Sequence, residues 1–192
     1  MSFLDALLGR RRPVSPGLDR LSALTPAARE LETATGFAPT GAGAVCVATT
    51  EGGTFTRIQE HLESLLHPDR HVGVPPAELS EDDHGGIWVL VHRRPEEVSQ
   101  LVSDLRAAME QLQEGGYAPQ LLHASLTFRH PDGRSLALVH LYRYGTFYPF
   151  APEGEDSRDN RLEHHVAEVL GEQLPIETDL TRWTAVRPAP GL

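Results

Sequence analysis

Ten histidines in a chain of 192 residues make metal binding the first chemistry to test. His67 and His71 stand four apart, but Pro68 between them breaks the helix that would bring both onto one face. His164 and Glu168 are spaced i, i+4 on a predicted helix with His165 alongside. That trio is the candidate centre of a metal-dependent hydrolase, yet no H-E-x-x-H motif and no cysteine pair completes a ligand set around it. His92, His123 and His140 fall on predicted strands and could gather on one face of a sheet. A general base there would need a hydrogen-bonding partner, and the plainer reading is the polar side of half-buried strands. Cys46 is the lone cysteine, set between Val45 and Val47 with no cation nearby to lower its pKa, so a buried, inert thiol is expected. Glu81, Asp82 and Asp83 lack the alternating spacing and distal glutamate of a calcium loop and read as a solvated turn. No G-x-S-x-G, Walker or dinucleotide-binding motif occurs. The expectation is a protein without catalytic residues, metal or cofactor.

Two segments have residue types suited to contact. Phe3, Leu4, Leu7 and Leu8 make one apolar stripe on a short helix, and Arg10, Arg11 and Arg12 follow at once. A cationic end suits a helix C-terminus and an anionic lipid surface alike. Fully burying that stripe would supply roughly 6–12 kcal/mol before costs, and each arginine near anionic lipid about 1 kcal/mol. Docking on the protein's own body or on a partner helix is the competing use of the same stripe. The second segment, Tyr142 to Phe150, holds five aromatics in nine residues of a chain that is 6% aromatic. Tyr142, Arg143, Tyr144, Phe147, Tyr148 and Phe150 could form a recognition surface for a partner, with Arg143 facing a carboxylate. Alternatively these aromatics close the open end of the core, with Gly145 making the bend.

Charge separates the first twelve residues from the rest of the chain. The net charge is −10 and every one of the 17 cations is arginine, a bias that reads as GC-rich coding. An acidic balance opposes binding to nucleic acid, whose affinity rests on neutralising phosphates. Residues 51–84 hold two arginines against eight carboxylates, and residues 153–179 hold two against nine. The first twelve residues reverse this, with three arginines and one aspartate. A small basic, amphipathic tip on an acidic body results. No apolar run is long enough for a bilayer span, the N-terminal pattern is not that of a secretory signal, and the single cysteine precludes an intrachain disulfide. A cytoplasmic location, peripheral at the inner face of the membrane, is expected.

The elements that must position these residues follow from periodicity and turn chemistry. Residues 1–12 form the tip, 13–17 a linker, 18–174 a single domain, and 175–192 a tail wrapping it with Trp183 as anchor. Ser15-Pro16 and Thr25-Pro26 each start a helix, giving two short helices or one kinked helix over 16–35 that Gly36 stops. A strand is predicted at 44–49, a helix at 54–66 with Phe55, Ile58, Leu62, Leu65 and Leu66 inward, an edge strand at 72–79 and a strand at 87–92. Val98, Leu101, Val102, Leu105, Met109 and Leu112 mark the strongest helix, with acids in its first turn and Gly115-Gly116 at its end. Leu122, Ala124, Leu126 and Phe128 alternate with polar residues as a half-buried strand, which the turn at 130–133 returns antiparallel over 136–144. A last helix at 157–170 presents Leu162, Val166, Val169 and Leu170. Hairpins without βαβ crossovers predict an α+β fold, with a mostly antiparallel sheet of about five strands and helices packed on one face.

Several segments, taken in order along essentially the whole chain, resemble the actinobacterial PspA-associated family PspAB. They are Ser2 to Arg10, Gly145 to Pro152, Arg158-Asp159-Asn160, Leu174 to Glu177 and Trp183. The resemblance implies a small cytoplasmic accessory protein of the phage-shock, envelope-stress system, whose core component remodels membranes, and it carries over no catalytic residue. A non-enzymatic adaptor is therefore expected. It would meet the inner leaflet or a membrane-bound partner through residues 1–12 and a second protein through the 142–150 aromatics. The alternative is a chaperone-like peptide-binding module, in which the sheet and acidic surface shield a client.

Overall fold

The computed structural model describes residues 16–48, 54–62, 77–82, 85–154 and 157–186. Helix α1 (Pro16–Arg20), a 3-10 turn (Leu21–Ala23) and helix α2 (Leu24–Thr35) follow in immediate succession. Leu18, Leu21 and Leu24 are all buried, as their spacing predicts. Gly36 closes α2 in the left-handed conformation at φ 78°. Next come strand β1 (Ala38–Ala48), helix α3 (Thr54–His61), strands β2 (Ala77–Glu81) and β3 (Gly86–His92), and helix α4 (Val98–Glu114). Leu65 and Leu66 lie outside the described residues. No acid stands in the first turn of α4, because the helix begins at Val98. Glu97 precedes it and binds the guanidinium and backbone N–H of Arg94 instead.

Strands β4 (Leu121–Arg129), β5 (Ser135–Leu141) and β6 (Thr146–Phe150) complete a six-stranded sheet in the order β2-β3-β1-β4-β5-β6, antiparallel at every pairing. The fold is α+β. β6 is the strand beyond the five expected, and it comes from the aromatic run. Gly145, at φ 65°, turns the chain back after β5 so that Phe147 pairs with His140 and Tyr148 with Val139. Pro149 is tolerated because β6 ends the sheet and can leave one N–H position unused. A small hairpin of β7 (Pro152–Glu153) and β8 (Ser157–Arg158) then leads into helix α5 (Asn160–Leu170). That helix starts later than predicted, where the Asp159 carboxylate accepts the N–H of Leu162 at 2.9 Å.

The sheet is buried on both faces. On one, Val45, Val89, Leu126, Leu138 and Phe147 join Leu24 and Leu31 of α2, Leu101 and Leu105 of α4, and Val166 and Leu170 of α5. Gly43 admits α4 closely, since a Cβ there would stand 2.9 Å from Leu105 Cδ1. On the other face Ala44, Cys46, Trp88, Leu90, Val139, Tyr148 and Phe150 pack with Trp183 and Val186 of the C-terminal segment. Ala167 of α5 also touches this second cluster, so α5 serves both faces. The tail is more ordered than an irregular wrap. Ile176 bridges Phe147 in parallel, Phe147 N–H donates to Pro175 O at 3.0 Å, and Glu177 N–H donates to Phe147 O at 2.8 Å.

Burial of both faces corrects the half-buried reading of β4. His123, Ser125 and Thr127 are buried, and a register shift between Cys46 and Val47 puts Leu121 in the core while Leu122 is 45% exposed. The strand histidines do not gather. His123 and His140 are buried on opposite faces, since the cross-strand partner of His140 is Ala124, and His92 is exposed. His140 stands against Phe147, ring centroids 4.8 Å apart, beside the Gly17 backbone.

Trp183 carries the second cluster. Its ring stacks on Tyr148 at 5.9 Å and lies 5.6 Å from His164, and its Nε1–H donates to Glu177 O at 3.0 Å. Trp183→Ala should lose about 3–5 kcal/mol of stability, read from urea unfolding. Leu180→Ala, at a 56% exposed position in the same segment, should change it by no more than about 0.5 kcal/mol. Equal effects would mean that the segment does not hold the sheet face through its tryptophan.

Candidate functional site

Strand register builds the floor of a cleft. Trp88, Cys46, His123 and Leu141 are successive cross-strand partners on β3, β1, β4 and β5. They form one row across a single face, about 14 Å long at the ~4.8 Å strand spacing. The C-terminal segment crosses this face, and Thr181, Arg182, Thr184, Ala185 and Val186 form one wall. Pro119, Leu121 and Leu122 add to the apolar lining, and the enclosed volume is about 680 Å³. At the β3 end sits Asp82, whose carboxylate accepts from Trp88 Nε1–H at 2.8 Å and from the Gly86 N–H at 2.7 Å. That aspartate fixes the turn into β3 and orients the tryptophan, more than a solvated turn would. At the β5 end stand Arg143 and Tyr144, carried there by the turn before β6.

Tyr144 is 43% exposed and held in place. The Arg182 guanidinium lies 4.1 Å from its ring centroid, and Arg182 is tethered to Glu177 at 3.2 Å and Asp179 at 3.4 Å. Burial works against the charge of Glu177, but the Asp179 N–H, the Thr146 hydroxyl and Arg182 outweigh it and hold the carboxyl below its usual range. Leu122, Tyr144 and Leu180 are the large hydrophobics exposed among the described residues, and the first two line this cleft.

Cys46 and His123 face each other across β1 and β4, the arrangement from which a thiol nucleophile and its base could be built. Their environment drives both away from that chemistry. Burial, with Asp82 adding to it, pushes the thiol up to about 12. Burial, with His140 on the adjoining strand adding to it, lowers His123 to about 4. At neutral pH the pair is a protonated thiol and an uncharged imidazole, suited to lining a binding surface. His123 packs edge-on to Trp88 at 5.5 Å, and its Nδ1 has no hydrogen-bond partner among the described residues.

The residues singled out from sequence are placed unevenly. Tyr142, Phe147, Tyr148 and Phe150 are buried, so most of the aromatic run is core and only Arg143 and Tyr144 reach the surface. Phe3, Leu4, Leu7, Leu8, Arg10, Arg11 and Arg12 lie outside the described residues, as do His67 and His71. His164, His165 and Glu168 are exposed on α5. Among the described residues no group of three or more His, Cys, Asp or Glu side chains could hold a metal ion, and no helix is long and apolar enough to cross a membrane. Trp88, His123 and Arg182 were not predicted as neighbours. Their meeting depends on strand register and on the path of the tail.

The two buried histidines also set a pH dependence. Burial lowers His140, like His123, to about 4 from the ordinary 6.5. Between those values the unfolded chain binds protons that the folded one refuses, so stability is full above pH 6.5 and falls as pH drops toward 4. Each histidine accounts for about 3 kcal/mol of that loss. His140→Leu, compared with the parent by urea unfolding at pH 7.5 and pH 4.5, should remove roughly half of the decline. An unchanged decline would contradict a neutral core imidazole at this position.

No curated protein and no solved structure matches the chain. A family model does, and it extends over residues 1–191, from the apolar-basic opening through the cleft to the tail. The chain therefore belongs to the PspAB family, PspA associated protein B.

Proposed function

We propose that this protein is a non-enzymatic accessory factor of a PspA-type, phage-shock membrane-stress system, binding a partner protein through the rim of the cleft at Arg143 and Tyr144. PspA itself is the partner that the family name suggests. The carrying observation is that exposed Leu122 and Tyr144 line one groove together with Arg143 and Arg182. Exposed apolar groups are scattered singly on most monomers, whereas contiguous ones mark contact surfaces. Tyrosine, tryptophan and arginine are also the residue types that dominate binding energy at interfaces. In this reading residues 1–12 are a separate contact element ahead of α1, able to meet the inner leaflet. Net lipid binding is weak and reversible, because the net charge of −10 is repelled by anionic headgroups. The protein then works in the cytoplasm, peripheral to the membrane.

The peptide-binding alternative draws on the apolar floor of the same cleft. It differs in predicting a stable client complex that survives removal of residues 1–12 and does not require PspA.

Two measurements test the proposal. Flotation with vesicles containing anionic lipid should fall when residues 1–12 are deleted, and equal flotation would remove the lipid contact. Tyr144→Ala should weaken binding to purified PspA from the source organism by about 10- to 30-fold with unfolding unchanged. Undiminished affinity would place the interface elsewhere.

A further inference from the structure

We infer that the cleft takes an extended segment of a partner protein, about four residues long, apolar along its length and carrying a carboxylate at the end that meets Arg143. This rests on the reading of the cleft rim as a docking surface and adds the chemistry and direction of what docks.

The argument begins with dimensions. A floor about 14 Å long matches about four residues of extended chain. Its side chains are an indole, a protonated thiol, an uncharged imidazole and a leucine, so the middle of the occupant must be apolar. His123 supplies the polar exception. It is buried to 93% and lines the cleft, and its Nδ1 is unpartnered among the described residues.

Charge gives the direction. Asp82 lies at the β3 end, its carboxylate already engaged by Trp88 and Gly86. At the β5 end Arg143 is exposed and has no ion-pair or hydrogen-bond partner among the described residues. Arg182 stands beside it on the Tyr144 ring. Arg182 is already met by Glu177 and Asp179, so Arg143 is the unpaired guanidinium at this end of the groove, and on a chain whose net charge is −10 it points to an anionic group on the occupant. A guanidinium holds a carboxylate through two parallel N–H donors. The same charge disfavours the chain's own leader as occupant, since Arg10, Arg11 and Arg12 would approach like charges.

The test uses the intact chain and two fluorescein-labelled peptides read by anisotropy. One has four leucines followed by two glutamates, and the other has lysines in place of the glutamates. The glutamate peptide should bind at least tenfold more tightly. Arg143→Glu, a change at an exposed side chain, should reverse that order while leaving the urea midpoint unchanged. Equal affinities, tighter binding of the lysine peptide, or no binding of either would overturn the inference. Binding of the glutamate peptide only after deletion of residues 1–12 would make the leader the occupant and overturn it as well. These failures are separable from failure of the docking surface itself. If Tyr144→Ala still weakens PspA binding, the surface stands and only the chemistry assigned to the occupant falls.

Discussion

The position of the C-terminal segment depends on one buried ion pair. Glu163 on α5 is 1% exposed at its side chain and accepts from Arg158 Nε at 2.9 Å and from the Ala151 N–H at 2.9 Å. Arg158 spends its remaining reach on the tail, donating through Nη1 to the carbonyl of Trp183 and lying 5.1 Å from the Phe150 ring centroid. One carboxylate therefore ties the end of β6, the small hairpin and the last helix to the segment that walls the cleft. Charges in such a setting gain little over an apolar replacement, yet removing one partner leaves the other desolvated, at a cost of about 3–5 kcal/mol. The pair acts as a geometric constraint more than as a source of net stability. Without it the tail would keep its bridge at Phe147 and the Tyr148 hydroxyl's bond to Thr184 O, but the Trp183 carbonyl would lose its tie to α5.

The path of the tail decides what the sheet can be. A sheet covered by helices on one face alone would leave the row from Trp88 to Leu141 in water, and polar residues would be expected along it. Here the row is apolar and uncharged because the tail shields most of the face and leaves a groove where the shielding ends. The shifted values of Cys46, His123 and Tyr148 are one consequence. Each is driven first by burial, upward for the acids and downward for the base. The row is uncharged at neutral pH, while the groove beside it stays open.

How much of this was legible in the sequence varies by element, for identifiable reasons. The helices were clear because their apolar residues repeat with the helical period on a single side, as in Leu101, Leu105 and Leu112, all of which are buried. The hairpin at 130–133 was clear because proline and glycine demand specific dihedrals, and Gly133 takes φ 94°. β6 was not, since Thr146 to Phe150 contains a proline and no alternation of polar with apolar residues. Its strand character comes from pairing with β5 and bridging to Ile176, which are long-range facts. In β4 the alternation was real but misassigned, because a one-residue register shift exchanges the faces near its start and the polar residues turn out buried. The cleft was least legible of all, as its ends, Asp82 and Arg143, are brought together only by the order of strands across the sheet.

The contact proposed at Arg143 draws on where charge is left unmatched. Half of the twelve arginines among the described residues are paired with carboxylates: Arg93 with Asp104, Arg94 with Glu97, Arg106 with Glu110, Arg134 with Asp132, Arg158 with Glu163 and Arg182 with Glu177. Arg143 is one of the other six and the one of them that lines the cleft, and it sits on a turn whose other members are anchored by Tyr142 in the core and Gly145 in a left-handed bend. A rigid turn presenting an unmatched guanidinium over an apolar groove costs the fold desolvation of neither group. It leaves the free energy of pairing to whatever binds, which is the condition under which a surface charge contributes to partner choice and not to stability.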